Sequence, residues 1–172
     1  MQKAISSEEL SADLRDGSGP FLNGRRAIVG LSLFSAGVMG GIALFQMGIL
    51  KKIPEPRWPS FDAEKVNGSA EAYSHLAMPD ALLGLVSYGA TACLAGTGAQ
   101  SRWKTHPWIP LSMLGKILLD AAIAGKLTAD QWTKHRAFCF WCLLTTTASF
   151  AVLPFAVPES NAALRELRGN DR

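Results

Sequence analysis

The chain has 172 residues, of which 48% are hydrophobic, and its mean hydropathy is +0.14. At this length one domain is the natural expectation. The formal net charge is only +3 and no basic stripe with interleaved aromatic residues occurs, so the composition excludes an ordinary nucleic-acid-binding protein. Three cysteines are also too few for a disulfide-stapled scaffold.

The first long apolar run covers residues 27–50, contains no ionisable residue and has a basic pair on each side. About 20 apolar residues span a bilayer core, so this run predicts a membrane helix. It is too long for the apolar core of a signal peptide and lacks a small-x-small cleavage site. Gly37 and Gly41 form a small-xxx-small pair that suits close helix packing, although glycines are also simply common in membrane helices.

The second run, residues 81–99, is uncharged and rich in small residues. Pro79 precedes it and Asp80 lies at its beginning, which fits a helix start because the first N–H groups of a helix need no intrahelical partner. Cys93 lies inside the run. A single cysteine in such a position usually packs as a small apolar side chain, and we predict no chemical role for it.

The third run, residues 109–125, is interrupted by Lys116 and Asp120. Their i,i+4 spacing places them on one helix face, where they can form an ion pair. Charges at this depth normally face the bundle interior and mark functional sites. The alternative is a short, tilted helix with both side chains snorkelling to the surface. The pair also raises a transporter hypothesis, which four short helices without repeated halves support poorly.

The fourth run, residues 137–157, begins with a Cys-x-x-Cys pair, Cys139 and Cys142. Phe138, Phe140 and Trp141 surround the two cysteines. Because aromatic residues favour the headgroup level of a membrane, we expect both sulfurs near the membrane surface.

These runs predict an all-α integral membrane protein, a four-transmembrane-helix bundle with a partly helical outer loop between helices 1 and 2. Four spans place both termini on one side, and that side carries nine Lys and Arg residues against seven on the other. The positive-inside rule therefore places the tails, residues 1–25 and 158–172, in the cytoplasm around a membrane domain of residues 26–157. The cysteine pair then lies at the outer face, where disulfides form and persist.

A Cys-x-x-Cys pair can bind a metal, attach haem or carry out redox chemistry, and the neighbouring residues favour some of these uses over others. Zinc sites usually carry a second Cys or His pair, and haem attachment needs a histidine where Leu143 lies. Redox chemistry needs only the two sulfurs and an acceptor, whereas the alternative is two packing residues. On a continuous helix, His135 and Arg136 would approach Cys139 and, with the helix N-terminus, lower the pKa of its thiol.

Two segments resemble the vitamin K epoxide reductase family of membrane thiol oxidoreductases. "MPDALLGLVSYG" at residues 78–89 is similar to the entry to that family's second helix. "GKLTADQWTKHRAFCFWCLLTT" at residues 125–146 is similar to the loop and active-site Cys-x-x-Cys of its last helix. Ser69 and Tyr73 loosely match the end of the family's outer loop. The resemblance covers about residues 26–157.

The resemblance implies a four-helix bundle around a quinone, either ubiquinone or menaquinone. Cys139 and Cys142 would be the redox pair, with Cys142 facing the quinone and Cys139 receiving electrons from incoming dithiols. Asp80 and Thr146 fall where family members contact the quinone. Asp80 replaces the more usual Asn and can donate a hydrogen bond only when protonated.

The resemblance further implies a location in the bacterial inner membrane, with the cysteine pair near the periplasmic face. The implied partners are a thioredoxin-like or other dithiol protein on the outer side and membrane lipid, with no nucleic acid. Family members typically carry a second cysteine pair in the outer loop, but residues 51–79 contain none. The main hypothesis is therefore a membrane thiol–disulfide oxidoreductase that passes electrons from a dithiol to a quinone. The alternative is a non-catalytic membrane partner or assembly factor with the same bundle.

Overall fold

The computed structural model describes residues 5–74 and 76–170, and every regular element in these ranges is helical. One isolated parallel bridge joins Phe61 to Phe138. The α-helices in chain order are α1 Ser7–Asp16, α2 Leu22–Gln46, α3 Ala63–Asn67, α4 Asp80–Gly96, α5 Arg102–Thr105, α6 Trp108–Asp130, α7 Phe140–Ala151 and α8 Leu153–Asn170. A short 3₁₀ helix, Ala70–Tyr73, follows α3, and a π-helical turn, Gln131–His135, extends α6.

Three helical segments are long and apolar enough to cross a membrane: Leu22–Gln46, Trp108–His135 and Phe140–Gly169. The second predicted span forms α4, which has 17 residues. A helix of that length measures about 25 Å, less than the ~30 Å of a bilayer core. Because every regular element in the described residues is helical, the all-helical prediction is confirmed. The segment between α2 and α4 is partly helical, as expected. The count of four spans is not confirmed.

Helix α2 packs most closely on α4, and the contact depends on a glycine of α4. A Cβ atom on Gly84 would lie 2.9 Å from the Met39 sulfur of α2. A Cβ on Gly37 or Gly41, in contrast, would meet no other atom within 4 Å. The close packing predicted for the small-xxx-small pair is therefore wrong within this chain, and Gly84 provides the close approach instead.

Two buried guanidinium groups hold the C-terminal end of α4. The Arg25 side chain, from α2, donates to five consecutive carbonyls, those of residues 95–99, at 2.8–3.3 Å. Arg102 donates to the carbonyls of Leu94 and Thr97 at 2.5 and 2.7 Å, and also to Glu159 on α8 through two bonds of 2.7 Å. The last carbonyls of a helix lack intrahelical partners, so these bonds satisfy groups that would otherwise be buried without one.

Helix α8 continues beyond residue 158 and packs on the bundle there. Helix α8 runs through Pro158 to Asn170, and Glu159 and Ser160 are each only 1% exposed. The Ser160 hydroxyl donates to the Pro110 carbonyl at 2.8 Å. The first turn after residue 157 is therefore part of the packed structure, because it supplies the carboxylate that neutralises Arg102.

Candidate functional site

The cysteine pair lies at the N-terminus of α7. The two sulfurs are in disulfide contact and the Cα atoms are 5.2 Å apart. Cys139 is the N-cap residue, with extended backbone, and its sulfur accepts a hydrogen bond from the Cys142 amide at 3.2 Å. The positive end of the helix macrodipole therefore faces both sulfurs, as expected for a pair in the first helical turn.

The chain reaches this position through a break in the helix. The π-helical turn ends at His135, and Arg136 adopts a left-handed conformation with φ 52°. Residues 137–139 are not helical, so the continuous helix assumed for His135 and Arg136 is wrong. Arg136 is exposed and its guanidinium lies 5.5 Å from the centroid of the Trp132 ring, a cation–π arrangement. His135 lines the cavity described below.

Cys139 is completely buried beneath the segment that precedes α3. The amide of Phe138 donates to the Ser60 carbonyl at 2.8 Å, and the amide of Asp62 donates to the Phe138 carbonyl at 2.9 Å. The Trp141 indole donates to the Pro54 carbonyl at 2.6 Å. These three bonds hold the segment against Phe138 and Trp141, on either side of Cys139, which has 0% exposure.

Cys142, in contrast, lines a cavity of about 480 Å³ between α4, α6 and α7. Asp80 and Thr146 line the same cavity, so the structure brings these predicted residues together. The Thr146 hydroxyl lies 3.1 Å from that of Thr128. Apolar side chains such as Leu83, Ile123 and Leu127 form much of the wall.

Two amide side chains contact the cysteines and a third holds one of these two, and none of the three was predicted from the sequence. Asn67, at the end of α3, contacts both sulfurs: its Nδ2 is 3.2 Å from Cys139 Sγ and its Oδ1 is 3.6 Å from Cys142 Sγ. The Gln131 Oε1 atom accepts from the Cys139 amide at 2.8 Å.

Gln46 supports this arrangement from α2. Its Nε2 atom donates to the Asn67 carbonyl at 3.2 Å and to Asp80 Oδ1 at 2.7 Å, and its Oε1 atom accepts from the Ala81 amide. Gln46 had a signal in the sequence, because it is a long polar side chain inside an otherwise apolar span. Asn67 had none, since asparagine is common in loops.

The inner end of the cavity is polar. Asp120 and Ser87 line it, and Lys116 Nζ lies 2.6 Å from Asp120 Oδ2, so the predicted pairing is confirmed. The same ammonium donates to the hydroxyls of Ser87 and Thr91 on α4 at 2.9 and 2.8 Å. Both charged side chains are mostly buried, with exposures of 22% and 13%, so they face the bundle and do not snorkel.

Comparison with known families identifies the chain. A family model described as the vitamin K epoxide reductase family matches residues 26–157. The chain belongs to the vitamin K epoxide reductase family. No curated protein matches it in a sequence comparison. Family membership and the three long apolar helices indicate a membrane protein with thiol–disulfide oxidoreductase chemistry at the level of the family, which is associated with quinones in general.

Proposed function

We propose that this protein oxidises a dithiol and passes two electrons to a membrane quinone through Cys139 and Cys142. One observation carries the proposal: the two sulfurs are in disulfide contact at a helix N-terminus, and Cys142 lines a cavity large enough for a small molecule. Ligand sites in proteins commonly measure about 300–1,000 Å³, with apolar walls and a few polar groups.

The residues around the cavity fit a quinone. The apolar wall of Leu83, Ile123 and Leu127 suits a ring and its hydrocarbon substituents, and polar atoms lie at the end near Cys142. The Thr128 hydroxyl donates to the Ala124 carbonyl, so the Thr146 hydroxyl donates to Thr128 in this structure and must turn away from it to donate to a quinone carbonyl. Asp80 is such a donor only when protonated, and its Oδ1 already accepts from Gln46. A quinone held there would supply the acceptor for two electrons and two protons.

The chain itself supplies a pair of sulfurs that alternate between disulfide and dithiol. A substrate thiolate attacks one sulfur of the disulfide and forms a mixed disulfide. The second substrate thiol then attacks the mixed disulfide, so that the substrate leaves oxidised and the pair holds two electrons. The α7 N-terminus stabilises the thiolate at each step, because the macrodipole favours negative charge there.

The proposal includes the expected location. With both termini in the cytoplasm of a bacterium, the pair lies near the periplasmic face of the inner membrane, where a thioredoxin-like or other dithiol protein reaches it. Because residues 51–79 contain no cysteine, such a partner exchanges with the pair directly.

The experiment compares thiol-dependent quinone reduction in Cys139→Ala, Cys142→Ala and Cys93→Ala. Cys93 lies on α4 and is exposed, so it is the matched control for loss of a thiol. We expect both variants of the pair to lose activity and the control to keep it. Unchanged turnover in either variant of the pair would refute the proposal.

A second candidate function is a non-catalytic partner or assembly factor that keeps the same bundle. The complete burial of Cys139 favours it, because a disulfide with one fully buried sulfur suits a structural role. Thiol trapping in cells separates the two candidates. A redox-active pair cycles between reduced and oxidised forms when the quinone pool is altered, and a structural pair remains oxidised throughout.

A further inference from the structure

The inner end of the cavity carries a cluster of polar side chains from α4 and α6. Asp120 and Ser87 face the cavity, and Lys116 and Thr91 contact these two side chains from behind. What such a cluster can bind depends on which of its hydrogens and lone pairs are still unused.

The hydrogens of this cluster are all engaged within it. The ammonium group of Lys116 has three hydrogens, which are directed to the side chains of Ser87, Thr91 and Asp120 at 2.9, 2.8 and 2.6 Å. The Ser87 hydroxyl donates to Asp120 Oδ1 at 2.8 Å. The Thr91 hydroxyl lies 3.2 Å from Asp120 Oδ2 and 3.3 Å from the Ser87 carbonyl, so its single hydrogen also stays within the cluster.

The Tyr88 hydroxyl, beside the cluster, is engaged as well. It lies 2.8 Å from Ser149 Oγ. Ser149 donates its own hydrogen to the Thr145 carbonyl at 2.9 Å, so the hydrogen between the two hydroxyls comes from Tyr88. Among residues 5–74 and 76–170, which the structure describes, no side chain at this end of the cavity therefore keeps a hydrogen for a ligand oxygen.

The Asp120 carboxylate, in contrast, can still accept. A carboxylate offers about four lone-pair positions, and Asp120 accepts from Ser87, Lys116 and Thr91. The two redox forms of a quinone differ in this respect, because the carbonyl of the oxidised form can only accept, whereas the hydroxyl of the hydroquinone can donate. The inner end of the cavity therefore suits the hydroxyl and offers no donor to the carbonyl.

The depth of the cavity suits a ring that reaches Asp120. Asp80 and Ser87 both line the cavity and are seven residues apart on α4, which is about 10 Å along the helix axis. Two hydrogen bonds of about 2.8 Å, one at each end, leave roughly 5 Å between the two ligand oxygens. That separation is typical of the two oxygens of a 1,4-benzoquinone. One oxygen can therefore reach Asp120 while the other lies towards Cys142.

We infer that Asp120 determines which redox form the cavity prefers, because its carboxylate accepts a hydrogen bond from a hydroquinone and the cluster gives nothing to a quinone carbonyl. Lys116 is a positioning residue, which holds the carboxylate in place and balances its charge. The inference rests on the proposed function and deepens it, since it names the group that stabilises the reduced product.

Asp120 moves no proton in this role. The cysteine pair gives up two electrons and two protons when it forms its disulfide, and reduction of a quinone uses two of each. Tighter binding of the reduced form favours electron transfer out of the cysteine pair. A tenfold preference corresponds to about 30 mV for a two-electron couple.

The test measures binding of tetramethyl-1,4-benzoquinone and of its hydroquinone, whose two oxygens are their only polar atoms. Calorimetric titrations in detergent without oxygen use a Cys139→Ala, Cys142→Ala background, in which no electrons pass to the probe. The readout is the dissociation constant of the quinone divided by that of the hydroquinone, each corrected for partition into detergent. With native Asp120 this ratio should be at least about ten, because a hydrogen bond to a charged acceptor contributes at least that factor. Asp120→Asn should lower the ratio at least about tenfold, since the amide is uncharged and can donate to a carbonyl.

Asp130→Asn is the matched control. Asp130 pairs with Lys126 at the same i,i+4 spacing on α6, but it lies at the outer rim of the cavity, where water competes for its hydrogen bonds. The ratio should not change in this variant. Because Asp120→Asn leaves Lys116 without its carboxylate, a second variant, Asp120→Asn with Lys116→Met, removes both charges and should show the same loss.

A merely structural role for the ion pair would lower the melting temperature and weaken both probes equally, and an unchanged ratio in these variants would overturn the inference. If neither variant folds, the protein with native Asp120 still decides, because a ratio near one there would refute the preference. Failure of the proposed function is recognised separately. A strong preference without thiol-dependent quinone reduction in the wild-type protein would refute that function and leave the role of Asp120 standing.

Discussion

Cys139 and Cys142 should differ sharply in their reaction with a small alkylating reagent, because only one of them is accessible. Cys142 lines the cavity, whereas Cys139 has 0% exposure beneath the segment before α3. Two variants each retain a single cysteine. Cys139→Ala retains Cys142 and Cys142→Ala retains Cys139, and both also carry Cys93→Ala because Cys93 is exposed.

The size of the difference follows from the bonds that close the cover. Alkylation of Cys139 requires the segment to move away, which breaks the two backbone bonds of Phe138 and the bond from the Trp141 indole to the Pro54 carbonyl. Each contributes about 1 kcal/mol net, so opening costs about 3 kcal/mol. Since about 1.4 kcal/mol is a factor of ten, Cys139 should react roughly 100-fold more slowly than Cys142.

The assay follows reaction of the reduced protein with N-ethylmaleimide in detergent, and each rate is divided by the rate for the same variant unfolded in denaturant. This ratio removes the differences that the two thiols show in the unfolded chain. Both rates are also expressed per thiolate, from a pH titration of each variant, so that they report access and not protonation. Trp141→Phe removes one of the three bonds and should raise the Cys139 rate about fivefold. Equal normalised rates for the two cysteines would refute the reasoning, since the cover would then impose no barrier.

Two further predictions concern the bundle. Glu159→Gln leaves Arg102 charged and buried without its carboxylate. The free energy of unfolding, measured by denaturation, should therefore fall by about 3–5 kcal/mol. The control Glu166→Gln, at an exposed position of the same helix, should change it by less than about 0.5 kcal/mol. Gly84→Val should lower the melting temperature in detergent, because overpacking against Met39 costs about 1–3 kcal/mol. The control Gly37→Val should leave the melting temperature unchanged, because a Cβ atom there meets nothing within 4 Å. A larger loss of melting temperature in Gly37→Val than in Gly84→Val would contradict the packing of α2 on α4.

Much of the fold was predictable because apolar runs and their boundaries obey simple length rules. The four runs all became helices, and the Lys116–Asp120 pair formed as its i,i+4 spacing predicts. Some helix boundaries differ from the ends of the apolar runs, because individual residues end a helix early or extend it. Helix α2 ends at Gln46 instead of residue 50, and Gly48 follows with φ 75°, a conformation that favours glycine.

The candidate site was predictable only in part. Cys142, Asp80 and Thr146 share a cavity as the family resemblance implies, but the roles of these residues remain predictions. Asn67 could not be found from sequence, because its importance depends on α3 folding back over α7, a contact between residues 72 positions apart. The helix break at Arg136 was equally hidden, since a non-glycine residue in the left-handed region has no reliable sequence signal.

Helix α2 explains how the short helix α4 is held in register with the cysteine pair. Arg25 near one end of α2 binds the last carbonyls of α4, and Gln46 at the other end accepts from the Ala81 amide in the first turn of α4. Because these two residues of α2 are 21 positions apart, they lie about 31 Å from each other along the axis, somewhat more than the ~25 Å length of α4. Each side chain therefore reaches inward and binds one end of α4. Gln46, which binds the start of α4, also donates to the Asn67 carbonyl. The same side chain therefore fixes both the position of α4 along the axis of α2 and the position of the Asn67 amide at the two sulfurs.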